Sequence, residues 1–464
     1  MKISSFAVAA AAAACVLALE ARTFEVAAWR GETVAALVED FAELGAAPEG
    51  LGVRFGVLKS VKYAPTVHSL ERKEVFDRVM WDADGDGPRV VEISVPVDAK
   101  PGIHRCGHMN VRVVNRVLPP AKEWKYYLDL WQHPWATARI AKAKPFSKEH
   151  YAAMRPVYEL LASAGQKTIT VSILEQPWDH QCFDAYHSMV DDADFRTFDE
   201  YVQFCLDCGL GPNISCYSLC PWTLGKTIDE NEMEKRWGAF LDRFAAHLTE
   251  KGWYGQTLMA MDERAPEDVA KVAAFVRRHA PGMRISMAGN RKPSDFQGID
   301  IDVYSQILSH VTDEFLAEVP ARRAKGFVTT HYVCCWPTYP NTFVSSGPGQ
   351  AFWLGAYPAA VGLDGFLRWA WNSWPRNPKE DATYWNWLPG DTFLCYPGGE
   401  PSWRFLELRN GIVAAEKMRL LKESGLFKDE LAKIAALYKQ AEAVTGESNF
   451  VKIRQETLSV VNTD

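Results

Sequence analysis

Two adjacent carboxylates, Asp262 and Glu263, close the run Leu258-Met259-Ala260-Met261-Asp262-Glu263-Arg264. The apolar residues before them read as a short buried strand, and packing gives no reason for two acids at its end. At the C-terminal mouth of a barrel strand such a pair suits general acid–base work on a bound substrate. Neighbours on a strand point to opposite faces, so both side chains reach one substrate only if the backbone bends where the strand stops. A plainer reading also fits. Pro266 suits a first helical turn and acids favour helix N-termini, which would make the pair a solvated cap.

The elements around the pair bear on that choice. Beyond Pro119-Pro120, strand patterns alternate with helical ones. Strands are expected at Trp124–Trp131, Thr168–Leu174, Ile214–Leu219, Thr257–Met261, Met283–Ala288, Ile301–Gln306, Phe327–Cys335 and Gly365–Trp371. Between the first two, a helix has Ser147 as N-cap, Tyr151, Met154, Val157, Tyr158 and Leu161 on one face, and Gly165 as its stop. Helices at Phe198–Cys208, around Trp237–Leu248 and at Pro266–His279 follow, and Arg404–Lys422 supplies a last one. Eight strands in this rhythm predict an α/β fold, a (β/α)₈ TIM barrel with right-handed crossovers. A doubly wound sheet competes, but no Gly-rich phosphate loop follows the first strand.

Residues 22–120 carry β signals and no long helix. Val90–Val97 and Met109–Leu118 flank the turn Asp98-Ala99-Lys100-Pro101-Gly102, which predicts a small antiparallel β-sandwich ahead of the barrel. The expected organisation is a leader at 1–21, the sandwich at 22–120, the barrel at 121–425 and a helical tail at 426–464. Asp82-Ala83-Asp84-Gly85-Asp86-Gly87 opens like a calcium loop, but position twelve is Ile93, so an acidic surface turn is the better reading.

The N-terminus has one lysine and then an Ala-rich apolar stretch of about 15 residues, which fits a secretory leader and is short for a bilayer span. The expectation is an exported protein with no transmembrane segment after leader cleavage. Cys15 lacks the preceding branched residue that lipoprotein anchoring needs. A formal charge of -7 and a pI near 5.9 argue against a nucleic-acid partner. Cys205, Cys208, Cys216 and Cys220 mimic a zinc spacing, yet on a helix and the following strand they read as small core residues. No metal and no cofactor is expected.

The residues at the strand ends make a coherent set. In order they are Trp131-Gln132-His133, Gln176-Pro177-Trp178, Tyr217 through Trp222, Asp262-Glu263, Asn290, Tyr304–Gln306, Tyr332–Trp336 and Trp371-Asn372-Ser373-Trp374. Aromatic faces stack on sugar C–H faces, amides and phenols bond hydroxyls, and two acids supply proton transfer, so the set suits a carbohydrate. Seventeen tryptophans agree with that, although core packing accounts for most of them. His133 and His331 lie on separate strands and read as single polar contacts rather than metal ligands.

Several stretches resemble glycoside hydrolase family 123, the β-N-acetylgalactosaminidase family. They are LDLWQHPWATARI at 128–140, SKEHYAAMRPVYELLASAGQKTIT at 147–170, LMAMDERAPE at 258–267, AGN at 288–290, HYVCCWPTYPNTF at 331–343 and GFLRWAWNSW at 365–374. The likeness is collinear over about 120–420. It departs at His331 and Val333, where Tyr and Thr are expected. The resemblance implies an exo-acting retaining enzyme that releases terminal β-linked N-acetylgalactosamine from a glycan, with the substrate's 2-acetamido oxygen as nucleophile. It implies that Asp262 orients the acetamido group and that Glu263 is the general acid/base. Tyr332 would donate to the acetamido oxygen, Trp371 and Trp374 would wall the sugar subsite, and Asn290, Asn372, His133 and Tyr217 would bind hydroxyls. Two rivals stand beside this: a barrel glycosidase with a carboxylate nucleophile, and a glycan-binding protein without catalysis.

Overall fold

A computed structural model describes residues 24–38, 47–83, 85–107, 109–173, 184, 186–191, 194–224, 227–440 and 446–464. The expected leader at 1–21, Asp84 of the acidic turn and Gln176-Pro177-Trp178 lie outside the described residues. The first seven strands are β1 (Phe24–Arg30), β2 (Thr33–Val38), β3 (Gly52–Tyr63), β4 (Lys73–Trp81), β5 (Arg89–Ser94), β6 (Gly102–Cys106) and β7 (Met109–Val117). The chain divides into two compact units. One takes residues up to Gly56 with Pro88–Leu118 and Asn462–Asp464; the other takes Val57–Gly87 and Pro119–Val461.

In the smaller unit, β2 pairs antiparallel with β5, and β6 antiparallel with β7. β1 lies parallel to β7, which makes that three-stranded sheet mixed. Alternation along β7 turns Met109, Val111 and Val113 inward, where they meet Val26, Ala28, Val91 and Ile93 in one core.

The larger unit holds eight parallel strands: β8 (Tyr127–Leu130), β9 (Thr168–Ser172), β10 (Asn213–Tyr217), β11 (Thr257–Asp262), β12 (Arg284–Gly289), β13 (Val303–Ile307), β14 (Val328–Tyr332) and β15 (Gly365–Arg368). Their order is β8-β15-β14-β13-β12-β11-β10-β9, so each strand neighbours the next in sequence and β15 returns to β8. This is the expected (β/α)₈ architecture. The last seam, between β8 and β9, is closed largely by two buried glutamines. Gln166 Oε1 accepts from Leu130 N at 3.0 Å, and its Nε2 donates to Thr168 O at 2.7 Å. Gln132 Oε1 accepts from Thr170 N at 2.8 Å, while Gln132 N donates to Thr170 Oγ1 at 3.2 Å. Side-chain amides here take the place of ladder bonds that the two backbones do not make. Gln132, read as a mouth residue, is therefore part of the seam.

Local chemistry sets the helices. Ser147 Oγ accepts from His150 N ahead of the helix Lys148–Ala162. Pro266 opens Pro266–His279, with Glu267 and Asp268 in its first turn. The strands are shorter than the apolar runs that encode them, because extended chain continues past the last ladder bond. β14 stops at Tyr332, since Cys334 N turns to bond Trp336 O. Among the described residues, no helix is long and apolar enough to cross a membrane.

Candidate active site

Tyr127, Leu258 and Val303 form a layer of side chains inside the barrel, with Val328 packed against it. Counting by twos from that layer places Ala260 and Asp262 of β11, Thr330 and Tyr332 of β14, and Asp129 and then Trp131 of the β8 segment on the interior face. Ser215 pairs with Leu258 and Tyr217 with Ala260, so Tyr217 faces inward too. Asp262 is thus the uppermost interior residue of β11. It is half-buried, whereas Thr257–Met261 beneath it are buried.

Alternation alone would send Glu263 outward. It does not go there, because its backbone has φ +48°, in the left-handed region that a non-glycine residue adopts at a cost of about 1–3 kcal/mol. Glu263 N is held in this turn by Ala288 O at 2.8 Å. The bend brings the Glu263 carboxylate back over the barrel, where Oε1 accepts from the Tyr332 hydroxyl at 2.5 Å. Burial and the Glu263 carboxylate both push the Tyr332 hydroxyl up, so it stays protonated and donates. The Asp262 charge acts on Tyr332 and Tyr217 alike, which sets both phenols around the acid pair. Arg264 curls away, its Nε donating to Asp262 O at 2.6 Å. Asn290 is exposed on the same rim, just past β12, and its carbonyl accepts from His310 Nδ1 at 2.8 Å.

The other four expected contacts are buried and held by contacts within the protein. Asn372 is fully buried: Oδ1 accepts from His133 N at 2.8 Å, and Nδ2 donates to His133 O at 3.1 Å and to Thr137 Oγ1 at 3.2 Å. His133 Nε2 donates to Trp369 O at 3.1 Å, and burial holds its pKa down at about 4, so the ring is neutral. Trp371 has no exposed surface, with its ring 4.8 Å from Phe405. Trp374 is also buried and donates from Nε1 to Cys395 O at 2.6 Å. His331 packs between Tyr357 and Phe366 outside the strands, where burial lowers its pKa to about 3. Among the described residues, no group of three or more His, Cys, Asp or Glu side chains is placed to hold a metal ion.

The model of the glycoside hydrolase 123 catalytic domain matches residues 131–421 of the chain. The chain belongs to glycoside hydrolase family 123. Its fold is similar to that of a family 123 glycoside hydrolase from Clostridium perfringens studied for glycolipid glycan hydrolysis, with TM-score 0.81 and 22% identity over 95% of this chain and 94% of that one. More distant likenesses include a family 5 mannosidase from Rhizomucor miehei (TM-score 0.32, 12% identity, 63% of this chain and 94% of that one). Another is a family 53 catalytic domain from Ignisphaera aggregans (TM-score 0.38, 13% identity, 65% and 99%). No curated protein matches.

Sequence reasoning put Trp131 at a strand end without giving it a role, and passed over Asp129; both are interior residues of this family 123 barrel. Trp131 lies against Tyr217, ring centroids 4.7 Å apart. Asp129, one interior step lower, is 4% exposed, and burial lifts its carboxyl to about 7. The signal was present in Tyr127-Leu128-Asp129-Leu130-Trp131, where the one acid alternates in phase with two aromatics.

The neighbouring strand ends are held by a buried ion pair. Arg368 Nη2 meets Asp391 Oδ1 at 2.8 Å, both with fully buried side chains. Arg368 Nη1 donates to Asn341 Oδ1 at 3.0 Å and to Val333 O at 3.3 Å, while Asn341 Nδ2 donates to Cys334 O at 2.9 Å. The pair thereby fixes the turn that follows Tyr332.

Proposed function

We propose that this family 123 glycosidase is an exo-acting retaining enzyme that releases terminal β-linked N-acetylgalactosamine with help from the substrate's own acetamido group. One observation carries the reading: consecutive acids from a single strand end reach one mouth, joined there by Tyr332. Retaining glycosidases with a carboxylate nucleophile need two carboxyls about 5 Å apart on either side of the scissile bond. Two neighbours on one strand end suit a different division of labour. Asp262, the half-buried interior acid, accepts from the acetamido N–H and stabilises the positive charge that grows as the acetamido oxygen attacks C1. Glu263, the exposed one, protonates the leaving oxygen and then takes a proton from the incoming water. Tyr332 donates to the Glu263 carboxylate, and in this reading its hydroxyl turns to the acetamido oxygen when substrate is bound. Trp131 and Tyr217 are buried against each other inside the barrel and back the mouth with aromatic surface.

The glycolipid glycans of the Clostridium perfringens relative make oligosaccharides of that type the substrates we favour, and the leader expected at residues 1–21 is the reason we favour action outside the cytoplasm. Purified protein given matched aryl β-glycosides of N-acetylgalactosamine, N-acetylglucosamine and galactose tests the reading. Cleavage of the N-acetylgalactosaminide with the galactoside left intact is the expected result. Comparable turnover of the galactoside overturns substrate assistance.

A further inference from the structure

Two residues past Tyr332, the β14 loop carries Cys334 and Cys335, with Sγ atoms 3.9 Å apart. Cys334 is half-buried and Cys335 exposed, whereas Cys205, Cys208, Cys216, Cys220 and Cys395 are buried. Burial pushes those five thiols up and leaves them inert. The loop pair behaves otherwise: the contact between its sulfurs lowers Cys335 and raises Cys334, and Cys334 Sγ also reaches Trp336 O at 3.4 Å. The backbone that bears them is fixed from below, by Asn341 Nδ2 on Cys334 O and by Arg368 Nη1 on Val333 O. Cys335 follows by three residues Tyr332, whose hydroxyl bonds Glu263, and the Glu263 charge also acts on Cys335.

We propose that Cys334 and Cys335 form a modification site, a dithiol at the active-site mouth that a small-molecule disulfide oxidises reversibly to a vicinal disulfide, slowing hydrolysis. The Cys335 thiolate attacks one sulfur of the small disulfide and expels the other half as a thiolate. Cys334 then loses its proton and attacks the Cys335 sulfur, expelling the second half. Two protein thiols are oxidised and one small disulfide is reduced to two thiols, so atoms and electrons balance. Adjacent Cα atoms are about 3.8 Å apart, below the roughly 4.4–6.8 Å that a disulfide usually spans. The Cys334–Cys335 peptide must therefore move to close the ring, although Asn341 and Arg368 grip it. That movement is passed two residues back to Tyr332 and hence to Glu263. Small displacements of such groups are costly, because proton transfer needs donor and acceptor aligned.

The test uses the whole protein treated with glutathione disulfide, then alkylated and digested with trypsin without reduction. The peptide Gly326–Arg368 contains these two cysteines and no others. The expected product is this peptide unalkylated and lighter by two hydrogens. It should accompany a fall of about tenfold or more in kcat/KM on an aryl glycoside the enzyme cleaves, reversed by dithiothreitol. The double variant Cys334→Ser, Cys335→Ser should keep its activity through the same treatment. A peptide carrying two alkyl groups, or only glutathione on Cys335, overturns the proposal, as does closure with kcat/KM unchanged. The inference rests on the glycosidase reading for its activity arm. The peptide arm is read whichever glycoside is cleaved, so failure of the substrate assignment and failure of the dithiol are told apart.

Discussion

On the β15 side of the barrel rim, Arg368, Asp391, Asn341, Asn372 and His133 are all buried and bond one another or nearby backbone. On the β11 side, Asp262 is half-buried, Glu263 and Asn290 are exposed, and Glu263 meets a hydroxyl whose donor it can exchange for substrate. The two sides are alike in composition. They differ in burial, and that difference separates polar groups shut inside the rim from polar groups that a ligand can reach. A buried polar group bonded within the protein holds position; a carboxylate bent toward a mouth at the expense of its backbone is where the chemistry is proposed.

The largest expected effect sharpens that contrast. Glu263→Gln keeps the shape and the Tyr332 contact but removes the transferable proton, so turnover of substrates with poor leaving groups should fall by about 10²–10⁴-fold. The unfolding midpoint should not move. Initial rates paired with thermal melts check this, and an undiminished rate would break the distinction on the β11 side. Next comes Asp391→Asn, which leaves the buried Arg368 charge uncompensated. It should cost roughly 3–5 kcal/mol of stability in urea unfolding, while the protein that remains folded keeps kcat within a few-fold. A large kcat loss at unchanged stability would place Asp391 with the acids instead.

The sequence carried one side of this comparison better than the other. Barrel strands buried on both faces are continuous apolar runs, and helices between them carry their own caps, so all eight strands and the helix Pro266–His279 are legible. The acid pair is legible because two charges ending an apolar run have no packing role. Trp371 and Asn372 are different. Their burial depends on Thr392–Leu394, whose backbone bonds Ser373 and Trp371 directly: Ser373 N donates to Thr392 O at 2.9 Å, and Leu394 N to Trp371 O at 2.9 Å. That covering segment has neither helical nor strand periodicity, so nothing local to Trp371 announces it. The bend at Glu263 was required by the argument from strand alternation, but its angle is a product of the contact with Ala288 on the neighbouring strand β12, a residue distant in sequence.

A smaller effect is expected of Tyr332→Phe, which removes the donor to Glu263 and leaves the ring. Hydrogen bonds to charged groups contribute about 1.5–3 kcal/mol, so kcat/KM should drop about ten- to a hundredfold, with kcat falling more than KM rises. If only KM changes, Tyr332 binds substrate without orienting the acid.

The smallest effect compares two buried titrating groups, one from each class. Asp129 has a folded value of about 7 against an ordinary 3.8, so between those values the folded protein holds a proton the unfolded chain has released. Its contribution therefore becomes less favourable as pH rises from about 4 to 7. His133 runs the other way. Its folded value of about 4 lies below the ordinary 6.5, so in that window the unfolded chain binds the proton, and stability is lost as pH falls. His331, lowered to about 3, adds to the histidine slope. In the wild-type protein the opposing slopes partly cancel on the acid side of neutrality. Asp129→Asn removes one of them, so between pH 6.5 and about 5.5 the variant should lose about 1 kcal/mol more stability than the wild type. Urea titrations at the two pH values measure it. Parallel wild-type and variant curves would mean that Asp129 is ionised in the folded barrel, a buried charge with a partner, and it would then join the satisfied side of the rim.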